Sequence, residues 1–398
     1  MLGGAKITRF DGNAIPKVII SGIGCRAKIP AEADNLGAKR IAIVSGRSVR
    51  AKTPFVEDVC RSLGQRIVTV FDEVEPNSPV AAIRSAVDEV ASSNPDAVLS
   101  IGGGAVHDMA KAMAVMLPSG RSIVDFVCRF EPPDTFHSAE VDVEPLPVMT
   151  MPTTFSAAEV VGGGAVTDTA TGEKLIFVHP KLTPARVFLD GEVVASTPSP
   201  ILAASGLNAV HHCLEAYYSK GAQPITDAFA VAALSGLLAT LPALSRAGIP
   251  PVLDVFQNAI DAAALSGLTY TNSWLGIGHS VCHSLGGRYG VPHGDANAVM
   301  VCQSLRFNFE VARDRLAAAS RGAGISSSDD NDEAAEALVK RIDDLTRTLG
   351  TPRRLRDLGL PDDQFDRIAA DVLEDPQTYW NPRSASREQI IEWLQSAW

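Results

Sequence analysis

The chain has 398 residues, 46% of them hydrophobic, enough to build two packed cores. Its formal net charge is −11 and its isoelectric point about 5.2, which argues against a nucleic-acid or anionic-membrane partner, because phosphate binding needs a basic face. Six cysteines (Cys25, Cys60, Cys128, Cys213, Cys282, Cys302) without a C-x-x-C pair, residues 1–10 without an apolar leader, and no stretch near about 20 uninterrupted apolar residues together predict a cytoplasmic protein with reduced thiols and no membrane span.

Short β-branched runs alternate with amphipathic stretches through the first half. Arg40–Ser45 reads as a buried strand, 55–63 as a helix, and Arg66–Phe71 as a second strand. Residues 79–92 read as a helix, and 97–101 as a third strand running into glycines. This alternation predicts βαβ units and a parallel sheet covered on both faces. After Asp190 the strand signals stop and Ala/Leu-rich helical periodicity dominates. Pro198-Ser-Pro200 is a natural joint, and Thr226-Asp227 is expected to cap a helix over 228–241. The Ser/Asp-rich segment 325–332 is expected to be an exposed loop. The domain boundary is therefore placed near 195: an α/β domain over 1–195 and an all-helical domain over 196–398.

Two polar loops follow strands in the first half. Ser100-Ile-Gly-Gly-Gly-Ala-Val-His-Asp-Met-Ala-Lys111 places Gly102, Gly103 and Gly104 between a strand and a helix, where bare backbone can approach a pyrophosphate. The spacing is not G-x-G-x-x-G. Met151-Pro-Thr-Thr-Phe-Ser156 is the second loop, and loops at the carboxyl ends of parallel strands face the ligand crevice. A second triple glycine, 162–164, reads as a packing feature or bulge. At the end of the first nucleotide-type strand, Ser45-Gly46-Arg47-Ser48 offers no acid for a ribose 2′-hydroxyl, and Arg47 can accept a 2′-phosphate. NADPH is therefore expected to be tolerated beside NADH.

The second half concentrates histidine. Residues 276–293 hold three of the chain's eight, and Asn208-Ala-Val-His-His-Cys-Leu-Glu-Ala-Tyr217 adds His211 and His212. Asn208 and His212 are four apart, as are His279 and His283, so each pair shares a helix face and two helices can aim imidazoles into one cleft. His211 and His107 are read equally well as satisfied polar groups of a core.

Together these segments resemble the iron-containing alcohol dehydrogenase superfamily. Gly102-Gly-Gly-x-x-x-Asp108-x-Ala-Lys111 is similar to its cofactor motif, with Ala105 where serine is usual. Pro152-Thr153-Thr154 resembles its nicotinamide-side loop, Lys174 its ribose-contacting lysine, and His279-x-x-x-His283 with Pro292-His293-Gly294 its signature block. The resemblance implies a dehydroquinate synthase-like fold with a catalytic cleft between the two domains. Within the superfamily, Pro152–Glu159, Cys282-His-Ser-Leu-Gly-Gly287 and the tail from Asn381 resemble the maleylacetate reductase branch. Gly294-Asp-Ala-Asn-Ala298 is closer to the general alcohol dehydrogenases.

The resemblance implies a metal set of one aspartate and three histidines, here Asn208, His212, His279 and His293. An amide at 208 supplies a neutral oxygen where a carboxylate would bring charge, so no metal is expected. The implied reaction reduces the carbon–carbon double bond of 2-maleylacetate, a dicarboxylate, to 3-oxoadipate with NADH or NADPH, in aromatic-compound catabolism. His279 and His293 are expected to act as acid and oxyanion stabilisers, His283 to lie on the nicotinamide side, and Arg288 to clamp a carboxylate. The alternative is a metal-dependent (iron or zinc) alcohol dehydrogenase or aldehyde reductase acting on a small alcohol or semialdehyde. A cyclase-type lyase needs a full zinc site and more basic residues, and a non-catalytic nucleotide module has no use for converging histidines. A homodimer is expected.

Overall fold

The computed structural model describes residues 14–245 and 251–398; the expectation about residues 1–10 lies outside them. The strands are β1 (Ile19–Ser21), β2 (Ile41–Ser45), β3 (Ile67–Phe71), β4 (Ala97–Gly102), β5 (Arg129–Glu131), β6 (Thr135–His137), β7 (Val148–Pro152), β8 (Gly163–Asp168), β9 (Glu173–Val178) and β10 (Arg186–Leu189). Six of them form one sheet in the order β1-β10-β7-β4-β2-β3, every pair parallel. The helices of this part are α1 (Ile29–Leu36), α2 (Arg47–Lys52), α3 (Phe55–Leu63), α4 (Val80–Ala91), α5 (Gly104–Ser119) and α6 (Gly191–Ala195). Separate apolar clusters cover the two sheet faces. One is built on α1 and α3 and the other on α4 and α5, so β2, β4 and β7 are buried on both sides. That explains their continuous apolar sequences.

The rest is helical: α7 (Ser199–Tyr218), α8 (Pro224–Thr240), α9 (Leu253–Tyr270), α10 (Ile277–Tyr289), α11 (His293–Gly322), α12 (Asn331–Leu349), α13 (Phe365–Glu374), α14 (Pro376–Trp380) and α15 (Arg387–Ala397). α7 runs through the middle of this part against α8, α9 and α11, and nearly all of its residues are buried. A parallel sheet beside a helical part is the architecture the sequence predicts.

Two local expectations need correction. The helix expected at 228 begins at Pro224, because Gln223 accepts from the Ile225 N–H (2.9 Å) and Pro224 pre-sets the first turn. Thr226 and Asp227 lie inside that turn. The loop expected to 332 ends at Asp330, whose carboxylate caps the Glu333 N–H at 3.0 Å, so Asn331 and Asp332 are helical. Pro224–Ser245, 22 residues of mean hydropathy 1.8, is long and apolar enough to cross a membrane by length and composition. Reading only uninterrupted runs overlooked it. In the fold its Ala233, Leu234 and Leu237 are packed into the core shared with α7 and α9.

Candidate active site

β4 and β7 are neighbours, with Gly102 paired to Pro152, so the glycine loop and the Pro152-Thr153-Thr154 loop emerge side by side at the carboxyl edge of the sheet. The Thr153 N–H donates to the Gly102 carbonyl at 2.8 Å, fixing one loop on the other. α5 then starts at Gly104 with no side chain on its first N–H groups. A Cβ on Gly103 would lie 3.4 Å from the Thr154 side chain, and one on Gly104 would lie 3.3 Å from Ser156 Cβ. The Thr154 and Ser156 hydroxyls are buried without partners. Bare helix N–H groups, close glycine backbone and two spare hydroxyls fit a dinucleotide pyrophosphate. Ser156 was missed by the sequence reading.

Asp108 accepts from the Ala165 N–H (3.3 Å), and Gly164 is glycine because a Cβ there would sit 2.4 Å from Asp108 Oδ1. The second triple glycine is thus a packing feature. Lys111 is fully buried, donating to the carbonyls of Ala158 and Gly163 and pinning the strand that follows the Thr loop. Glu159 is buried beside it with both carboxylate oxygens unpartnered, and burial pushes its carboxyl up to about 7. Lys174, on β9, donates to the Asn77 carbonyl (2.9 Å); desolvation lowers its ammonium to about 8 despite Asp108. His107 lies wholly inside the α/β part, with Nδ1 2.8 Å from Ser100 Oγ. At the far end of β2, Gly46 bridges Glu73, which also pairs with the exposed Arg47 at 3.4 Å. Glu73, from the segment after β3, thus puts an acid beside the end of β2 that sequence spacing did not reveal.

The histidines do converge. α7 carries Asn208, His211 and His212; α10 carries His279 and His283; His293 opens α11. Ring centroids are 5.1 Å apart for His212–His279, 5.9 Å for His279–His293 and 6.0 Å for His283–His293. His211 instead points into the core, with Nδ1 2.7 Å from Asn297 Oδ1. Tyr270, at the end of α9, lies over His212 with centroids 4.3 Å apart.

Glu215, one turn beyond His211 on α7, organises this cluster. Its carboxylate lies 2.6 Å from His279 Nδ1 and accepts from the N–H groups of Gly276 (3.0 Å), Gly278 (2.9 Å) and His279 (3.3 Å) at the start of α10. Burial alone would raise its carboxyl, but His211 and His279 outweigh that and hold it well below the usual range. An ionised Glu215 holds the His279 proton on Nδ1 and leaves Nε2 as a bare lone pair, buried and unpartnered. Asn208 Oδ1 and His212 Nδ1 are likewise buried without partners. His283 is oriented by Asp375, Nδ1 to carboxylate 2.8 Å. Glu215 was within reach of sequence reading, four residues past His211; Asp375, on the far side of the chain, carried no signal.

Two expected roles change. Desolvation, reinforced by neighbouring imidazoles, lowers His212 and His293 well below the ordinary value and His279 to about 4. Burial therefore favours the neutral form of all three rings. Arg288 is no free carboxylate clamp, because its Nε and Nη2 both donate to Asp371 at 2.9 Å. A fork already filled by one carboxylate offers little to a second.

The donor set Asn208, His212, His279 and His293 suits a divalent cation in number and kind, with unpartnered lone pairs on three of its members. It brings no negative charge, and the nearest carboxylate, Glu215, is spent on His279 and backbone N–H groups. His211, Glu215 and His279 also cluster within metal-ligand distance, but their facing atoms are hydrogen-bonded to one another.

Residues 16–191 match the family model described as iron-containing alcohol dehydrogenase, and 202–398 match the Fe-containing alcohol dehydrogenase family, C-terminal model. The chain is 30% identical to the 1,3-propanediol dehydrogenase of Citrobacter freundii, over 95% of each chain. It is 28% identical to the NAD-dependent methanol dehydrogenase of Bacillus methanolicus, over 96% of this chain and 98% of that one. The structure of maleylacetate reductase from Agrobacterium tumefaciens superposes with a TM-score of 0.77 at 26% identity, over 99% of this chain and 98% of that one.

Proposed function

This chain belongs to the iron-containing alcohol dehydrogenase family of oxidoreductases, and on that premise we propose that it is an NAD(P)H-dependent reductase of a small conjugated oxo acid, of the maleylacetate type, that turns over without a metal. The observation that carries the reading is Asn208, a buried neutral oxygen in place of the anionic ligand, in a cluster whose carboxylates Glu215 and Asp375 are already engaged. The Cys282–Gly287 block supports it.

Reduced nicotinamide, when bound, supplies the hydride for the carbon β to the ketone. The protein must then manage charge on the ketone oxygen and deliver a proton to the α carbon. His279 is built for proton traffic. In the reductive direction its bare Nε2 takes up a proton from water and passes it to the α carbon, and Glu215 holds the ring in place while it is charged. Lys174, whose charge bears on His293, is the cation on this side of the cleft, and Arg288 holds neither carboxylate of the substrate. NADH is preferred and NADPH accepted, because Glu73 competes with a 2′-phosphate for Arg47. A cytoplasmic homodimer completes the proposal, supported by six free cysteines and the prevalence of two-fold dimers.

The three unpartnered lone pairs favour a second reading, a metal-dependent dehydrogenase of a small alcohol or semialdehyde. There the ion would rest on Asn208, His212, His279 and His293 and would polarise a carbonyl oxygen. Metal analysis of protein purified without added metal, paired with NADH oxidation against maleylacetate and against small aldehydes, separates the two. Turnover of maleylacetate that survives a chelator supports the first. Stoichiometric iron or zinc with chelator-sensitive aldehyde reduction supports the second.

A further inference from the structure

A cavity of about 430 Å3 opens between α11, α12, α15 and the segment after α12, on the face of α11 turned away from His293 and Asn297. Its walls carry four arginines, Arg306, Arg347, Arg353 and Arg354, against one acid, Asp343. Three of the four share that one carboxylate. Arg347 reaches it at 2.7 Å, Arg353 at 3.0 Å and Arg306 at 3.8 Å. Asp343 is saturated by this, and hydrogen bonds from Arg347 and Arg353 hold its carboxyl below the ordinary range although burial works the other way. The cavity floor is uncharged and includes the thiol of Cys302. A positive excess of this kind, in a chain of net charge −11, repels itself unless an anion joins it. Guanidinium forks set around a concave space match the paired oxygens of carboxylate and phosphoryl groups. The cavity is too large for a single chloride. Arg306 lies thirteen residues along α11 from His293, about 20 Å at the helical rise, so this space is separate from the catalytic cleft.

We propose that this cavity binds a small anion of two or more charges, presented as phosphoryl or carboxylate oxygens, at a site distinct from the cofactor cradle. Binding is measured by titration calorimetry on the protein saturated with NADH, so that the pyrophosphate cradle is filled. The probes are inorganic pyrophosphate and citrate, each at matched ionic strength in chloride. One-to-one saturable binding of either is expected, and which of the two binds more tightly distinguishes phosphoryl from carboxylate. Arg347→Gln with Arg353→Gln should weaken binding by about tenfold or more. Asp343→Asn removes the competing carboxylate and should tighten it. Arg354→Gln, whose side chain is outside the Asp343 cluster, weakens binding with the melting temperature unchanged and decides the matter if the double variant fails to fold. No saturable binding of either probe up to about 10 mM, affinity unchanged in the arginine variants, or weaker binding in Asp343→Asn overturns the proposal.

Discussion

The glycine cradle and the histidine cluster are made of different material. The cradle is backbone: helix N–H groups, glycines and two hydroxyls within the spans 102–104 and 153–156. The cluster is side chain, set by three helices and two carboxylates, Glu215 on α7 itself and Asp375 from far along the chain. A backbone site can be written in a few adjacent residues. A side-chain site depends on how distant elements pack, and its chemistry depends on which groups lie behind the visible ones.

That contrast can be broken at its strongest point first. Glu215→Gln keeps the shape behind His279 but removes the charge that fixes its Nδ1 proton. We expect kcat to fall by about 100- to 10 000-fold, with cofactor affinity unchanged, as read by NADH oxidation and NADH fluorescence titration. Equal losses in both readings would mean that Glu215 serves only to hold α10.

Asn208→Asp tests the charge argument itself. It should tighten binding of Zn2+ or Fe2+ by about 10- to 100-fold, measured by competition with a chromogenic chelator. An unchanged affinity would show that residue 208 does not face the ion.

In the glycine cradle, Gly103→Val pushes branched carbons against Thr154, 3.4 Å from where its Cβ would stand. KM for NADH should rise about tenfold while kcat stays within a few-fold, since the change touches binding and leaves the cluster alone.

The smallest effect belongs to Lys174, whose charge bears on His293. Lys174 has its ammonium lowered to about 8, so it discharges as pH rises through 8. Its contribution to kcat/KM should fade there by a few-fold, and Lys174→Arg should abolish that limb of the profile. Stability moves the other way. Between about pH 8 and the ordinary lysine value the unfolded chain holds a proton that the folded chain does not, so folding gains as pH rises through that window. A chemical-denaturation series across it checks the sign.

Much of this molecule was legible in its residues. The strands β2, β3 and β4 and the helix α3 fall where apolar periodicity places them, because buried parallel strands must be apolar throughout. The i, i+4 pairing of Asn208 with His212 and of His279 with His283 placed them on helices, and the folded chain brings those helices together. What misled was isolated charge. Arg288 looked like a clamp because it sits between site histidines, yet Asp371 takes its fork from across the fold. Arg47 was read as free for a 2′-phosphate, and Glu73 lies 3.4 Å from it.

Local sequence therefore determined the elements, the glycine turn and the imidazole-bearing faces, since each rests on spacing along a few turns of one segment. Only tertiary packing decided the protonation of those imidazoles, the loss of Arg288 to Asp371 and the convergence of three arginines on one aspartate. Ionisation depends on burial and on partners within a few ångströms, and those partners lie tens of residues away along the chain.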